Sequence, residues 1–294
     1  MQISRVHFFA FVEGVNIDGY VHGENCDRAF RDTDIEYRVS PANELPGEGG
    51  GKTRLKAYFE HLRDTSGLVT SLAGKVTIVS FFMDKDIDDR LGRKISSDHV
   101  FYTDFYDVEN HVFAEGDVAR AVSAGCSLAP NWCRSEFGPP GVWQGRIASL
   151  WREWVKLCYS AKLLKLGNGA NYGRPSPINP SLHLEADADL AQAHRDGIDS
   201  SIISLPDWQA AVAEVDALYA AGDWDKVFKG KWYSLILKSQ VIANCPNRVD
   251  EKHLAPLLVK QVAATMTFES SWAKSMQDRI RGLALQSGIS AGAR

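Results

Sequence analysis

Four aspartates, Asp84, Asp86, Asp88 and Asp89, crowd the stretch that directly follows an uncharged run, Val76–Met83. If the chain stays extended there, alternation places Asp84, Asp86 and Asp88 on one side, roughly 6–7 Å between neighbours. Like charges gathered at the mouth of an apolar sheet are costly unless solvent or a cation offsets them. Carboxylate oxygens are hard ligands suited to Mg²⁺, Mn²⁺ or Ca²⁺; the ordinary alternative is a solvated loop. Two further acidic groups have the same placement: Glu13, ahead of Gly14 at the end of an apolar run, and Asp104, Asp107 and Glu109 after Val100–Thr103. Lys52 closes a glycine turn at 49–51 and is the leading candidate for a phosphate contact, with Lys231 a weaker one.

The elements that must hold these groups alternate in type. Arg5–Val12, Ile35–Val39, Val76–Met83 and Val100–Thr103 read as strands, being β-branched, aromatic and short. A helix is expected over about Thr53–Arg63, where Leu55, Tyr58, Phe59 and Leu62 recur at three and four. Asp18–Phe30 is a weaker helical pattern. This order predicts an α/β fold with a mostly parallel sheet, in which ligands sit at the carboxyl ends of strands. Three acidic groups from three strand ends would then meet in one crevice.

Beyond Val142 the pattern turns helical: Gly141–Leu166, Pro206–Ala221, Trp232–Asn244, Glu251–Phe268 and Ser271–Gln286. Cys126–Val142 reads as a connector rich in proline and glycine. The expected division is therefore 1–125 for the sheet domain and 135–294 for a mainly helical region serving dimerisation, partner docking or nucleic-acid binding. Arg146, Arg152 and Lys156 form a basic stretch suited to phosphates, or a solvated helix face. Trp151 and Trp154 read as core.

Several classes are excluded. The formal net charge of −4 does not mark a general nucleic-acid binder. Five cysteines without a C-x-x-C pair argue for free thiols in a reducing compartment, cytoplasm by default, and against a zinc module. No membrane span or secretion signal is expected from the apolar start. The acidic run fails as a calcium loop, with Asp89 where glycine is needed and Ile95 where glutamate is needed. PGEGGGKT approaches a phosphate-binding loop but carries Pro46 at the first glycine. A nucleotide-binding switch using Gly49–Thr53 stays open, as does a metal-stabilised binding module without catalysis.

FVEG at 11–14, FFMDKDIDD at 81–89 and the glycine-lysine turn together resemble a TOPRIM domain. YTDFYDVENHVF at 102–113 and FKGKWYSLIL at 228–237 resemble a narrower TOPRIM-like group that includes the nuclease effectors of the PARIS anti-phage system. Related domains occur in overcoming-lysogenization-defect nucleases. The resemblance implies a Mg²⁺- or Mn²⁺-dependent nuclease acting on DNA or on RNA such as tRNA. It implies that Glu13, Asp84 and Asp86 hold the metal, with Asp88 and Glu109 as further candidates, and Lys52 assisting. It also implies a toxic effector, expected to be a homodimer, held inactive by an ATPase partner until infection.

Overall fold

The computed structural model describes residues 6–167, 170–173, 179, 184–245 and 252–289. Two compact units divide the chain: residues 1–85, 94–104 and 267–294 form the first, and 86–93 with 105–266 the second. These boundaries differ from the consecutive division 1–125 and 135–294. The last helix returns to pack on the first, and the acidic run is split between Lys85 and Asp86.

The first unit carries a five-stranded sheet: β1 (Phe8–Val12), β2 (Tyr37–Pro41), β3 (Val69–Leu72), β4 (Lys75–Met83) and β5 (Val100–Tyr102). β1 lies between β2 and β4, parallel to both, and β5 runs parallel to the end of β4. Only β3 is antiparallel, pairing with the start of β4. The mostly parallel α/β sheet expected from the pattern is therefore present. β3 was not foreseen; all four of its residues are exposed, so no buried face marked it.

Both faces of the sheet are covered, which explains the uncharged run in β4. Phe81 and Met83 point to one side, where they meet Leu55 and Phe59 of α2 (Gly51–Asp64) along with Val100 and Tyr102. Phe82 faces the other side and packs against Phe101, ring centres 4.7 Å apart, and against His22 of α1 (Asp18–Phe30). The same face receives Arg279 of α13 (Ser271–Gln286) over Phe101. The last helix thus completes the sheet's cover.

The second unit is helical: α3 (Val108–Glu115), α4 (Val118–Cys126), α5 (Pro130–Phe137), α6 (Val142–Leu150), α7 (Arg152–Leu163), α8 (Ala188–Asp196), α9 (Ser200–Ile203), α10 (Pro206–Ala220), α11 (Lys231–Asn244) and α12 (Leu254–Ala263). Trp143, Trp151, Trp154 and Trp232 are buried in it, in line with the core reading of Trp151 and Trp154. The supposed connector 126–142 contains α5, opened by Pro130 and closed at Gly138 with φ +68°. The long helix 141–166 is broken at Trp151 into α6 and α7. The stretch 167–180, whose three prolines and three glycines read as a second loop, lies mostly outside the described residues.

All five cysteines are free thiols. Among the described residues no helix is long and apolar enough to cross a membrane.

Candidate active site at the strand ends

The register brings the carboxyl ends of β1 and β4 level, since Val12 pairs with Phe82. The Glu13 N–H continues the ladder by donating to the Phe82 carbonyl at 3.1 Å. Glu13 and Asp84 therefore leave neighbouring central strands side by side. The Asp84 N–H donates to Glu13 Oε2 at 3.1 Å, so the glutamate is held by the backbone of the acidic strand end. Asp84 itself is buried.

The glycine-lysine turn reaches the same place. Gly51 begins α2 so close to β1 that a Cβ on it would stand 2.2 Å from the Glu13 carbonyl oxygen. No residue with a side chain fits that contact, which accounts for glycine here. The next residue, Lys52, places Nζ 4.0 Å from Glu13 Oε2, with both side chains largely buried. Arg54 folds the rest of the loop inward, donating to the carbonyls of Asn43, Leu45 and Gly49. The turn is docked on β1, unlike a free cradle of N–H groups around a nucleotide phosphate.

Other groups in the first unit support this edge. Asp18, at the start of α1, accepts from the Gly14 N–H at 2.8 Å, and a Cβ on Gly14 would collide with its carboxylate. Thr103 Oγ1 accepts from the Lys85 N–H at 2.9 Å, and Lys85 Nζ donates to the Asp104 carbonyl. The Asp104 side chain is exposed.

The remaining candidates belong to the second unit. Alternation does not carry through Asp84, Asp86 and Asp88, because the strand ends at Met83 and Asp86 has φ +50°. Its N–H is captured by the Tyr106 carbonyl at 2.6 Å, which turns the chain out of the extended state. Asp88 is buried within the following turn, and Asp89 is exposed. Glu109 lies in the first turn of α3 and is buried. Asp107 caps α3 in a capping box with Asn110, and its Oδ2 accepts from the Lys231 N–H at 3.3 Å.

Of the basic residues, Arg152 and Lys156 are engaged with one carboxylate. Arg152 Nε lies 2.9 Å and Lys156 Nζ 2.8 Å from Asp216 Oδ1, tying α7 to α10. Arg146 is exposed.

Among the described residues no group of three or more His, Cys, Asp or Glu side chains is arranged to hold a metal ion. Mg²⁺ makes a smaller demand than such a cage: it keeps several waters and takes one or two carboxylates together with substrate phosphate. Glu13 and Asp84, hard oxygen donors on adjacent strand ends, fit that demand.

Sequence reasoning missed the second unit's polar hub. Asp225 Oδ1 accepts from Asn110 Nδ2 at 2.8 Å and the Tyr233 hydroxyl at 3.2 Å, and Oδ2 accepts from Gln144 Nε2 at 2.6 Å. Burial pushes the Asp225 carboxyl up to about 6. Asn110 Oδ1 accepts from the Gly230 N–H at 3.1 Å, joining the two outlying motifs, YTDFYDVENHVF and FKGKWYSLIL. A Cβ on Gly230 would lie 2.2 Å from Asp107 Oδ1, so close approach fixes that glycine as well. The mid-motif Gly230 was the available signal.

Comparison with protein-family models and with curated proteins found no match for the chain.

Proposed function

We propose that the chain is a metal-dependent nuclease of TOPRIM type that hydrolyses phosphodiester bonds of RNA, such as tRNA, or of DNA. One observation carries the reading: Glu13 and Asp84 sit at the level ends of adjacent central strands, with Lys52 delivered beside Glu13 by a close-packed glycine turn. Ligands in parallel sheets bind at that end.

Glu13 and Asp84 would hold Mg²⁺ or Mn²⁺, which when bound offsets charge on a scissile phosphate and activates water. The Asp84 N–H fixes the direction of the Glu13 carboxylate. Lys52, held near Glu13 as a flexible point charge, is placed to contact a phosphate oxygen once substrate enters. Asp86, two positions after Asp84 in the sequence, is the second aspartate that the motif resemblance assigns to the metal. A role as a toxic effector of anti-phage defence, as a homodimer in the cytoplasm under the control of an ATPase partner, rests on the motif resemblance.

The test is cleavage of labelled plasmid DNA, single-stranded DNA and total tRNA in Mg²⁺ or Mn²⁺, with wild type beside Glu13→Gln and Asp84→Asn. Cleavage by wild type alone is expected. Equal cleavage by either variant would remove the assigned site. Metal binding without cleavage of any nucleic acid would point to a binding module, and ATP binding lost in Lys52→Ala to a nucleotide switch.

A further inference from the structure

The second unit holds a cavity of about 520 Å³ lined by α7, α8, α9 and α10. Close-packed interiors leave few voids larger than a water molecule, so a hollow of this size needs a cause. Part of it is composition: Ala188 and Ala191, three apart on α8, and Ala213 on α10 offer the cavity only methyl groups. The bulkier walls are apolar too, formed by Leu157 of α7, Ile203 of α9, and Trp208 and Val212 of α10. Small-molecule pockets have this size and this character, mostly apolar with a few placed polar groups.

The charged groups around the cavity are unequally partnered. Lys156 Nζ lies 2.7 Å from Glu153 Oε1 and 2.8 Å from Asp216 Oδ1, and the same Asp216 oxygen accepts from Arg152 Nε at 2.9 Å. Those two cations and two carboxylates balance one another. The Gln192 amide is engaged as well, donating to Asp196 Oδ1 at 2.7 Å. Arg195, in the last turn of α8, also lines the cavity; it is exposed, and its side chain has no ion pair or hydrogen bond among the described residues. One uncompensated guanidinium beside an apolar hollow complements an apolar body that carries one negative charge. A carboxylate suits it better than a phosphate ester. It matches the guanidinium fork with two parallel hydrogen bonds, whereas the second charge of a phosphate would be opposed by Glu153 and Asp216.

We propose that this cavity binds a small apolar carboxylic acid, its body held among Leu157, Trp208 and Val212 and its carboxylate paired with Arg195. The proposal does not depend on the nuclease reading, because binding is measured without cleavage.

The experiment is titration calorimetry of the full chain with three probes of one body: naphthaleneacetate, naphthaleneacetamide and naphthyl phosphate. Expected is a single acid bound per chain, with the neutral amide and the phosphate each weaker by about tenfold or more. Arg195→Gln should lower the acid to the affinity of the amide and leave the amide unchanged. Val212→Trp, which fills the hollow, should abolish binding of both, with melting midpoints showing that each variant is folded. Should Val212→Trp fail to fold, Ala213→Trp, at an exposed wall position, is judged by the same results. No heat from the acid up to about 1 mM overturns the proposal. Equal affinity for acid and amide overturns it, as does a phosphate bound as tightly as the acid. Acid binding that survives Arg195→Gln, or the folded tryptophan variant, overturns it as well.

Discussion

Gly51→Ala is the sharpest test of how the glycine-lysine turn works. The new Cβ would stand 2.2 Å from the Glu13 carbonyl oxygen and 3.1 Å from both its carbonyl carbon and Cγ. Carbon and oxygen normally approach to about 3.3 Å at closest, so roughly 1 Å of movement is required. The obstacle is backbone at the end of a central strand, whose Glu13 N–H is bonded to β4, and α2 must therefore move instead. Overpacking of this kind costs about 1–3 kcal/mol, equivalent to roughly 4 °C of melting temperature per kcal/mol for a unit between the 60–100 and 150–250 residue ranges. Displacing α2 also carries Lys52 away from Glu13, and a misplacement of about 1 Å near reacting groups can cost about a hundredfold in rate. Gly282→Ala is the control, because a Cβ there meets nothing within 4 Å inside α13 and should stabilise by up to about 1 kcal/mol. Thermal unfolding and cleavage rate would be measured on both variants. If Gly51→Ala melts with wild type and cleaves as well, the turn does not rest on β1. A mobile phosphate loop would then be the better account.

Three other perturbations follow from particular contacts. Gly230→Ala should destabilise the second unit by about 1–3 kcal/mol in urea unfolding, since its Cβ would meet Asp107 Oδ1 and the Asn110 nitrogen within 2.4 Å. Lys156→Met should change stability by no more than about 1 kcal/mol and leave the salt dependence of nucleic-acid binding unchanged, because Lys156 is paired with Asp216 and Glu153; a shallower salt slope would restore it as a phosphate contact. Acid should act oppositely on two buried groups. Burial lowers His22 to about 3, so its contribution is full above about 6.5 and is lost as pH falls toward 3. Asp225 is raised to about 6, so its contribution is full below about 3.8 and is lost as pH rises through 6. Between pH 4 and 6, each group changes stability by up to about 1.4 kcal/mol per pH unit, with opposite sign. Urea midpoints across this range should gain acid sensitivity in Asp225→Asn and lose it in His22→Phe; identical slopes in all three proteins would refute the assignment.

What the sequence made legible depended on whether one element could announce itself. Asp18–Phe30 and Ser271–Gln286 match the observed helices, and the apolar run of β4 is its own signal because both faces of the sheet are covered. Helix α3 gave no such signal: Val108–Phe113 is buried on all sides, so no amphipathic period appears. α5 was hidden by the density of proline and glycine around it, although Pro130 at its first turn and Gly138 after its end are ordinary helix limits. The return of α13 to the first unit is invisible in principle to a reading that cuts the chain into consecutive stretches.

The candidate carboxylates separate by a criterion that spacing does not contain, namely what their partners accomplish. Asp107 and Asp225 are bound by donors that cap a helix and join the segments 105–110 and 225–231; their negative charge is absorbed in holding the second unit together. Glu13 is bound by the N–H of another acidic residue, Asp84, with a lysine 4.0 Å away. That N–H would bind Glu13 whatever side chain followed Met83, so the fold alone does not call for a second carboxylate at position 84. The arrangement gains value when a cation or a phosphate enters the balance, and Lys52 arrives only through a helix start that tolerates no side chain at position 51. Removing the Asp86 carboxylate while keeping a residue that accepts positive φ, as in Asp86→Asn, should leave stability close to wild type while cleavage falls; unchanged cleavage would take Asp86 out of the metal set that the motif resemblance implies.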